Sequence, residues 1–286
     1  MNTIFDKDTI KLLRIPFSFF LMPVFFFAVS QSPDIILWKT LLIFFILHLF
    51  IYPASNGYNS YMDQDEGSIG GLKNPPKATR NMLYAALIFD ALGLGLSLLI
   101  NPVFFICILS YVLVSRAYSY KGIRLKKYPV LGFLSVIVFQ GAVTWYAVWI
   151  GSQGNWESRI YSLAVILPML ASSLMLAGVY PLTQVYQHDQ DKASGDITIS
   201  LLLGYKGTFI FSASAFASAG VVLFIYFKSM IFILFQIFLL PVLGYFIWWF
   251  YNVWKENSSA SFENTMRMNL IASTAMNLFY ITIMFI

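Results

Sequence analysis

Two polar stretches of the chain share one pattern: NGYNSYMDQDEGSIGGLKNPPKATR at residues 56–80 and YQHDQDKASGDITISLLLG at residues 186–204. Each contains an amide residue, an aspartate and a glycine spaced four residues apart: Asn59, Asp63 and Gly67, then Gln187, Asp191 and Gly195. The two copies are offset by 128 residues at every position. Such repeats in membrane proteins often relate two halves of the fold and place a site at their interface.

The composition of the whole chain indicates a membrane protein. Of 286 residues, 59% are hydrophobic and 11% are charged, and the mean hydropathy is +0.73, whereas a soluble protein usually carries about a quarter charged residues. One cysteine and two histidines exclude a disulfide scaffold and make a zinc or haem site unexpected. Apolar runs long enough to span a bilayer, at about 20 residues each, recur near 15–31, 38–55, 81–100, 102–118, 128–150, 160–185, 207–227, 230–253 and 265–286.

These runs predict an all-α, polytopic membrane protein with about nine transmembrane helices in two pseudo-repeated four-helix halves around a central cavity. No linker or low-complexity segment divides the chain, so we expect a single domain over residues 1–286. Nearly all of the 18 Lys and Arg residues fall on the side that carries both motifs, and the exceptions are Lys39, Arg159 and Lys228. The positive-inside rule makes this side, with the N-terminus, cytoplasmic, in a protein integral to the cell (inner) membrane.

The spacing of the motif residues suits a magnesium site. Residues i and i+4 lie on one helix face, so a helix extended one turn beyond the bilayer would point Asn59 and Asp63 toward the amide and aspartate of the second copy. Magnesium is usually held by one or two carboxylates together with substrate phosphates and water. Lys and Arg on the same side could hold the oxygens of a metal-bound diphosphate. Further carboxylates stand nearby in the sequence: Asp65, Glu66 and Asp189.

Some of these features have a second interpretation. Basic cytoplasmic loops are expected of any membrane protein, where they contact anionic lipids, and acids in such loops are commonly just solvated. Asp90 falls inside a predicted helix, where an acid is either functional or the partner in an interhelical hydrogen bond. The agreement of spacing, location and repetition favours a functional site at the two motifs.

Three motifs in order resemble the UbiA superfamily of intramembrane prenyltransferases, over nearly the whole chain. Residues 59–67 are similar to the family's first motif, Asn-Asp-x-x-Asp-x-x-x-Asp, and residues 191–204 are similar to the tail of its second. Tyr118 and Ser119, followed by residues 124–126, are similar to the family's Tyr-Ser…Leu-Lys loop after helix 4. The chain has fewer carboxylates than the family pattern, which usually shows aspartate at the positions of Ser60, Gly67 and Gln187.

The resemblance implies a Mg²⁺-dependent transfer of a polyprenyl group, geranyl or longer, from its diphosphate to a small hydrophobic acceptor, aromatic or lipid. The implied partners are this diphosphate, the acceptor and membrane lipid, with no nucleic acid. A terpene cyclase of the same superfamily is an alternative, because it would use the same Mg²⁺-assisted ionisation without an acceptor. A non-catalytic transporter or lipid-binding protein is a second alternative.

The resemblance also implies roles for individual residues. The catalytic residues would be Asn59, Asp63 and Asp191. The metal ligands would be Asn59, Asp63, Gln187, Asp189 and Asp191. The diphosphate would be bound by Lys73, Lys121, Arg124 and Lys126. Aromatic faces can stabilise the carbocation that forms as the C–O bond breaks, and the candidates are Tyr58, Tyr118 and Tyr186.

Overall fold

The computed structural model describes residues 4–154 and 162–286. These residues form nine long helices: α1 Lys7–Ser30, α2 Leu37–Asp63, α3 Arg80–Ser97, α4 Pro102–Ser119, α5 Pro129–Gly151, α6 Leu163–Ser194, α7 Ile199–Tyr226, α8 Ser229–Lys255 and α9 Phe262–Ile283. All but α3 and α9 are long and apolar enough to cross a membrane by the criteria of length and composition. The predicted all-α polytopic architecture is confirmed. Arg159 and the first two residues of the predicted helix 160–185 lie outside the described residues.

The exposed surface of the helices is apolar, as lipid contact requires. On α8, the side chains of Ile237, Leu240 and Ile247 are each more than half exposed. A contiguous apolar surface of this kind on a helix would be an aggregation hazard in water but is the ordinary lipid-facing surface of a membrane protein. The chain is therefore an integral membrane protein with several spans.

The helices group into two compact units. The first contains the beginning of α1, all of α2, α3 and α4, and the last residues of α5. The second contains the remainder of α1, most of α5, and α6 to α9. The first motif lies in the first unit and the second motif in the second. That residues 1–286 act as a single domain stays a prediction.

In the first unit, the start of α1 packs beneath the first motif. Leu12 and Leu13 are buried in one cluster with Tyr58 of α2 and Met82 of α3. Arg14, which adopts a left-handed backbone conformation, donates to the carbonyl oxygens of Asn56 (2.9 Å) and Gly70 (3.1 Å). The start of α1 thus holds both the last turns of α2 and the loop that follows it.

In the second unit, aromatic packing joins the long helices. Phe209 of α7 is fully buried, stacks on Phe250 with ring centroids 5.2 Å apart, and meets Trp249 edge-on at 4.8 Å. Phe27, from the end of α1, stacks on Tyr280 of α9 at 4.6 Å. Aromatic pairs at these distances add to the free energy gained from burial alone, so they stabilise the packing of the helices in this unit.

The structure corrects one helix boundary that matters for the site. The sequence predicts a helix over 207–227 and a polar loop over 186–206, but α7 begins at Ile199 and a short helix occupies His188–Ser194. Thr198 caps α7, because its hydroxyl accepts a hydrogen bond from the backbone N–H of Leu201 at 3.3 Å. Gly204 interrupts the first turns of α7 at φ 67° and ψ 176°.

Candidate active site

The first motif lies on the last two turns of α2, as the i, i+4 spacing predicts. The side-chain nitrogen of Asn59 donates to Asp63 Oδ2 at 2.8 Å and to Ser119 Oγ, at the end of α4, at 2.9 Å. A carboxylate can only accept hydrogen bonds, so the amide nitrogen must face Asp63. The carbonyl oxygen Oδ1 of Asn59 consequently points away from the aspartate.

Arg124 lies beside the first motif. Its Nη1 is 3.7 Å from Asp63 Oδ1, and the Asp63 side chain is only 4% exposed. The backbone explains the position, because the Arg124 N–H returns to the carbonyl oxygen of Tyr120 at 2.7 Å in a tight turn after α4. The structure therefore brings Asn59, Asp63 and Arg124 together within one unit.

A buried ion pair lies one to two turns deeper in the same unit. Asp90 of α3 accepts from both Nε and Nη2 of Arg116 of α4, the first at 2.9 Å. The Arg116 guanidinium also lies over the Tyr58 ring, 4.2 Å from its centroid. The sequence allowed Asp90 to be either a functional acid or the partner in an interhelical hydrogen bond, and the structure supports the second interpretation. One face of Tyr58, a candidate for carbocation stabilisation, is already covered by this cation.

The second motif is built on interrupted helix. The regular part of α6 ends at Leu182, a 3₁₀ turn covers Val185–Gln187, and the short helix His188–Ser194 ends at Gly195, whose φ is 70°. Asp191 Oδ2 accepts from the Thr198 hydroxyl at 2.9 Å. Gln187 and Asp191 therefore do not repeat the regular helical geometry of Asn59 and Asp63.

A second carboxylate of this motif holds a cation. Lys126 Nζ lies 3.1 Å from Asp196 Oδ2, and the Asp196 side chain is 3% exposed. Sequence reasoning included Lys126 among the candidate diphosphate ligands but gave Asp196 no role. Both residues belong to the second unit, so each unit presents one ion pair between a motif segment and the loop after α4.

A chain of buried hydrogen bonds lies behind the second motif, and sequence reasoning missed it. His188 Nε2 is 2.8 Å from Ser200 Oγ, which is 3.1 Å from Thr208 Oγ1. Thr208 donates to the carbonyl oxygen of Gly204 at 2.7 Å, and the His188 ring packs against Tyr205 at 4.4 Å. The short helix of the motif is thereby attached to the kinked start of α7.

The remaining candidates are more exposed. Lys73, Lys121 and Asp189 lie at the surface, and Gln187 and Tyr118 are half-buried. Tyr186 packs edge-on against Phe262, with ring centroids 5.4 Å apart. Ser119 belongs to the loop motif after helix 4 but had no assigned role. No local signal in the sequence marks it, because its partner Asn59 lies 60 positions earlier in the chain.

The donor atoms at both motifs suit magnesium. Asn59 and Asp63 in the first unit, and Gln187 and Asp191 in the second, offer hard oxygen ligands. Among the residues that the structure describes, no three or more His, Cys, Asp or Glu side chains form a metal-binding cluster. A magnesium ion shared with substrate phosphates needs only one or two carboxylates and keeps several waters, so this donor set fits the ion.

Comparison with known proteins decides the family. The sequence profile of the UbiA prenyltransferase family matches residues 20–271. The chain belongs to the UbiA prenyltransferase family. It is thus a membrane-embedded transferase, as its motifs predict. No curated protein matches the chain by sequence.

Solved structures share the fold of this UbiA protein. A UbiA homologue from Archaeoglobus fulgidus bound to DMAPP and Mg²⁺ superposes with a TM-score of 0.70 at 17% identity, covering 98% of this chain and 100% of the other. The same homologue bound to GPP and Mg²⁺ gives 0.65 at 15% identity, with 98% and 100% covered. Digeranylgeranylglyceryl phosphate synthase gives 0.63 at 19% identity, with 98% and 99% covered. At these identities the likeness is one of fold.

Proposed function

We propose that this protein is a Mg²⁺-dependent prenyltransferase that moves a polyprenyl group, geranyl or longer, from its diphosphate to a small hydrophobic acceptor. The observation that carries the proposal is that each motif segment, which offers oxygen ligands at Asp63 or at Asp191, also holds a cation of the loop after α4: Arg124 lies at Asp63, and Lys126 lies at Asp196. A diphosphate bound through a divalent ion needs both charges at one place. The Archaeoglobus homologue, which binds DMAPP and GPP with Mg²⁺, supports the same chemistry.

The carboxylates and amides hold the metal in this proposal. Asn59, Asp63 and Asp191 would be direct ligands, and Gln187 and Asp189 would assist. Magnesium held there would neutralise the diphosphate and make it a better leaving group. Asp191 is oriented for this task by the Thr198 hydroxyl, and Asp63 by the Asn59 amide.

The cations of the loop after α4 bind phosphate oxygens. Arg124 is paired with Asp63 and Lys126 with Asp196, so both side chains are held at the motif segments. The diphosphate offers each cation an additional anionic partner, and charge-assisted hydrogen bonds of this kind are stronger than neutral ones. Lys73 and Lys121, which lie at the surface, join them in this proposal.

The prenyl tail and the developing carbocation need an apolar, water-poor environment. Departure of the diphosphate leaves an allylic cation, and exclusion of water keeps it from being quenched before the acceptor attacks. Aromatic faces stabilise such a cation by about 1–2 kcal/mol when desolvated. Tyr118 and Tyr186 are the candidates. Tyr58 remains a third candidate through the ring face that Arg116 does not cover.

The acceptor is aromatic or lipid. The fold is shared with digeranylgeranylglyceryl phosphate synthase, whose name specifies a glyceryl lipid, and this makes a lipid acceptor worth including in any screen. Because both motifs lie among the Lys- and Arg-rich loops, we place them and the N-terminus on the cytoplasmic side. Residues 1–286 act as one catalytic domain in this proposal.

The decisive experiment measures diphosphate release by the purified protein in nanodiscs with Mg²⁺. Geranyl, farnesyl and geranylgeranyl diphosphates are supplied with and without a mixture of aromatic and lipid acceptors. Release that requires an acceptor and stops with EDTA is the expected result. Release without any acceptor, yielding a cyclic product, would instead identify a cyclase. Absence of release under every condition, with no effect of EDTA, would overturn the enzymatic proposal and favour a transporter.

A further inference from the structure

Polar side chains of α2 and α4 meet in a regular series within the first unit. Ser55 and Ser115 are joined by a hydrogen bond of 2.6 Å, and one turn nearer the motif Asn59 meets Ser119 at 2.9 Å. The residues on α2 are four apart, and so are their partners on α4. Only the second pair includes a residue of the first motif.

Ser119 completes the hydrogen bonding of the Asn59 amide nitrogen. A side-chain amide has two N–H donors and one carbonyl acceptor, and here one N–H is given to Asp63 Oδ2 and the other to Ser119 Oγ. Ser119 is 1% exposed, so this hydrogen bond is shielded from solvent. Within the described residues, Asn59 Oδ1 makes no side-chain hydrogen bond, and it is the atom left to meet a metal.

We propose that Ser119 is a positioning residue that holds the Asn59 amide so that its carbonyl oxygen is presented to magnesium. This inference rests on the proposed function, because it assumes that Asn59 is a ligand. Groups that orient a metal ligand typically contribute 10–100-fold to metal affinity or activity. Without Ser119, the amide could rotate away from Asp63 and present a nitrogen, which cannot bind the ion.

The neighbouring serine pair provides a matched control. Ser115 lies on the same helix one turn deeper and also joins α4 to α2, but its partner Ser55 lies outside the motif. A purely structural role for these hydroxyls predicts similar effects of Ser115→Ala and Ser119→Ala. A positioning role predicts that only Ser119→Ala weakens metal binding.

The test measures Mn²⁺ affinity by electron paramagnetic resonance on purified protein in nanodiscs with geranyl S-thiolodiphosphate, which does not react. We expect Ser119→Ala to raise the Kd for Mn²⁺ about tenfold, Ser119→Thr to restore it, and Ser115→Ala to leave it unchanged. Ser119→Cys keeps a side chain of similar size but replaces the hydroxyl by a thiol, which is a weaker acceptor. This variant replaces Ser119→Ala in the test if the alanine variant does not fold. Thermal unfolding of each variant is measured alongside.

The outcomes separate this inference from the proposed function. Equal Mn²⁺ affinity in Ser119→Ala, Ser119→Cys and the wild type, with binding lost in Asp63→Asn, would overturn the positioning role alone. Unchanged Mn²⁺ binding in Asp63→Asn would contradict the metal site itself, and with it the proposed function. A weakened affinity that threonine does not restore would also count against the hydrogen bond as the cause.

Discussion

The two motif segments share a spacing of side chains but differ in construction. Asn59 and Asp63 lie on an unbroken helix, and their support comes from α4, about 60 residues away in sequence. Asp191 lies on a short helix between a 3₁₀ turn and a left-handed glycine, and its support comes from α7, only seven residues on at Thr198. Equal spacing in sequence therefore does not imply equal local geometry. The first motif depends on tertiary packing and the second on local chain reversal.

The largest expected effect tests whether the two segments are nevertheless equivalent in function. Asp63→Asn and Asp191→Asn each remove a metal-binding charge while keeping the size of the side chain. We expect each to lower diphosphate release by at least about 100-fold, since even outer groups at metal sites contribute 10–100-fold. Release is measured with saturating Mg²⁺ and the acceptor found in the screen.

Two exposed acids provide matched controls for these variants. Asp8→Asn lies in the first unit and Glu256→Gln in the second, and both residues are exposed to solvent. We expect both variants to retain wild-type release. Full activity in only one of the two motif variants would show that the difference in construction extends to function.

The next effect concerns the support behind the second motif. Ser200→Ala removes the hydroxyl between His188 and Thr208 and leaves a buried ring nitrogen short of a partner. We expect a loss of about 1–3 kcal/mol in the free energy of unfolding, measured by thermal unfolding in detergent. Ser214→Ala, on the exposed side of the same helix, should cost little. An equal loss of unfolding free energy in the two variants would show that the hydrogen-bond chain has no structural role.

Backbone conformation gives an effect of similar size at the same segment. Gly204 has φ 67° and ψ 176°, a region adopted almost only by glycine, and an added methyl group would meet no atom within 4 Å. Gly204→Ala should therefore destabilise through the backbone alone, by about 1–3 kcal/mol. Gly195→Ala should cost less, because its left-handed conformation is also adopted by non-glycine residues of this chain. Thermal unfolding of both variants and the wild type shows which substitution destabilises more. A larger loss in Gly195→Ala than in Gly204→Ala would contradict the role assigned to the backbone conformation of Gly204.

The comparison also shows what the sequence could and could not predict. Apolar runs and basic loops predicted nine helices, and the i, i+4 spacing predicted the extension of α2 through Asp63, because both are local properties of helices. The pairings at the site, such as Asp63 with Arg124 and Asn59 with Ser119, join residues about 60 positions apart and depend on how α2 packs against α4. No local pattern encodes that packing.

At the second motif the sequence failed for a different reason. The start of α7 at Ile199 was not predicted, because the sequence predicts one polar loop over 186–206, whereas the structure begins the helix at Ile199 and kinks it at Gly204. Asp196 received no role because it lies outside the repeated triplet, although it holds Lys126. The spacing thus identified candidate residues at the motifs, but it did not identify the partners that contact them.

The smallest expected effect lies at the outermost support of the first motif. Asp6 caps the start of α1 by accepting from the Thr9 backbone N–H at 2.8 Å, and it also accepts from the Asn81 side chain at 3.0 Å. These hydrogen bonds hold the pKa of Asp6 below its ordinary value, and the largest contribution comes from the backbone N–H of Thr9. A lowered folded pKa means that the stabilisation is present above the ordinary pKa and is lost as the pH falls through the folded value. Asp6→Asn should therefore unfold at a slightly lower temperature than the wild type at pH 7, and the difference should shrink as the pH is lowered below about 4. A difference that stays constant with pH would show that the charge of Asp6 contributes nothing to the stability that these hydrogen bonds provide.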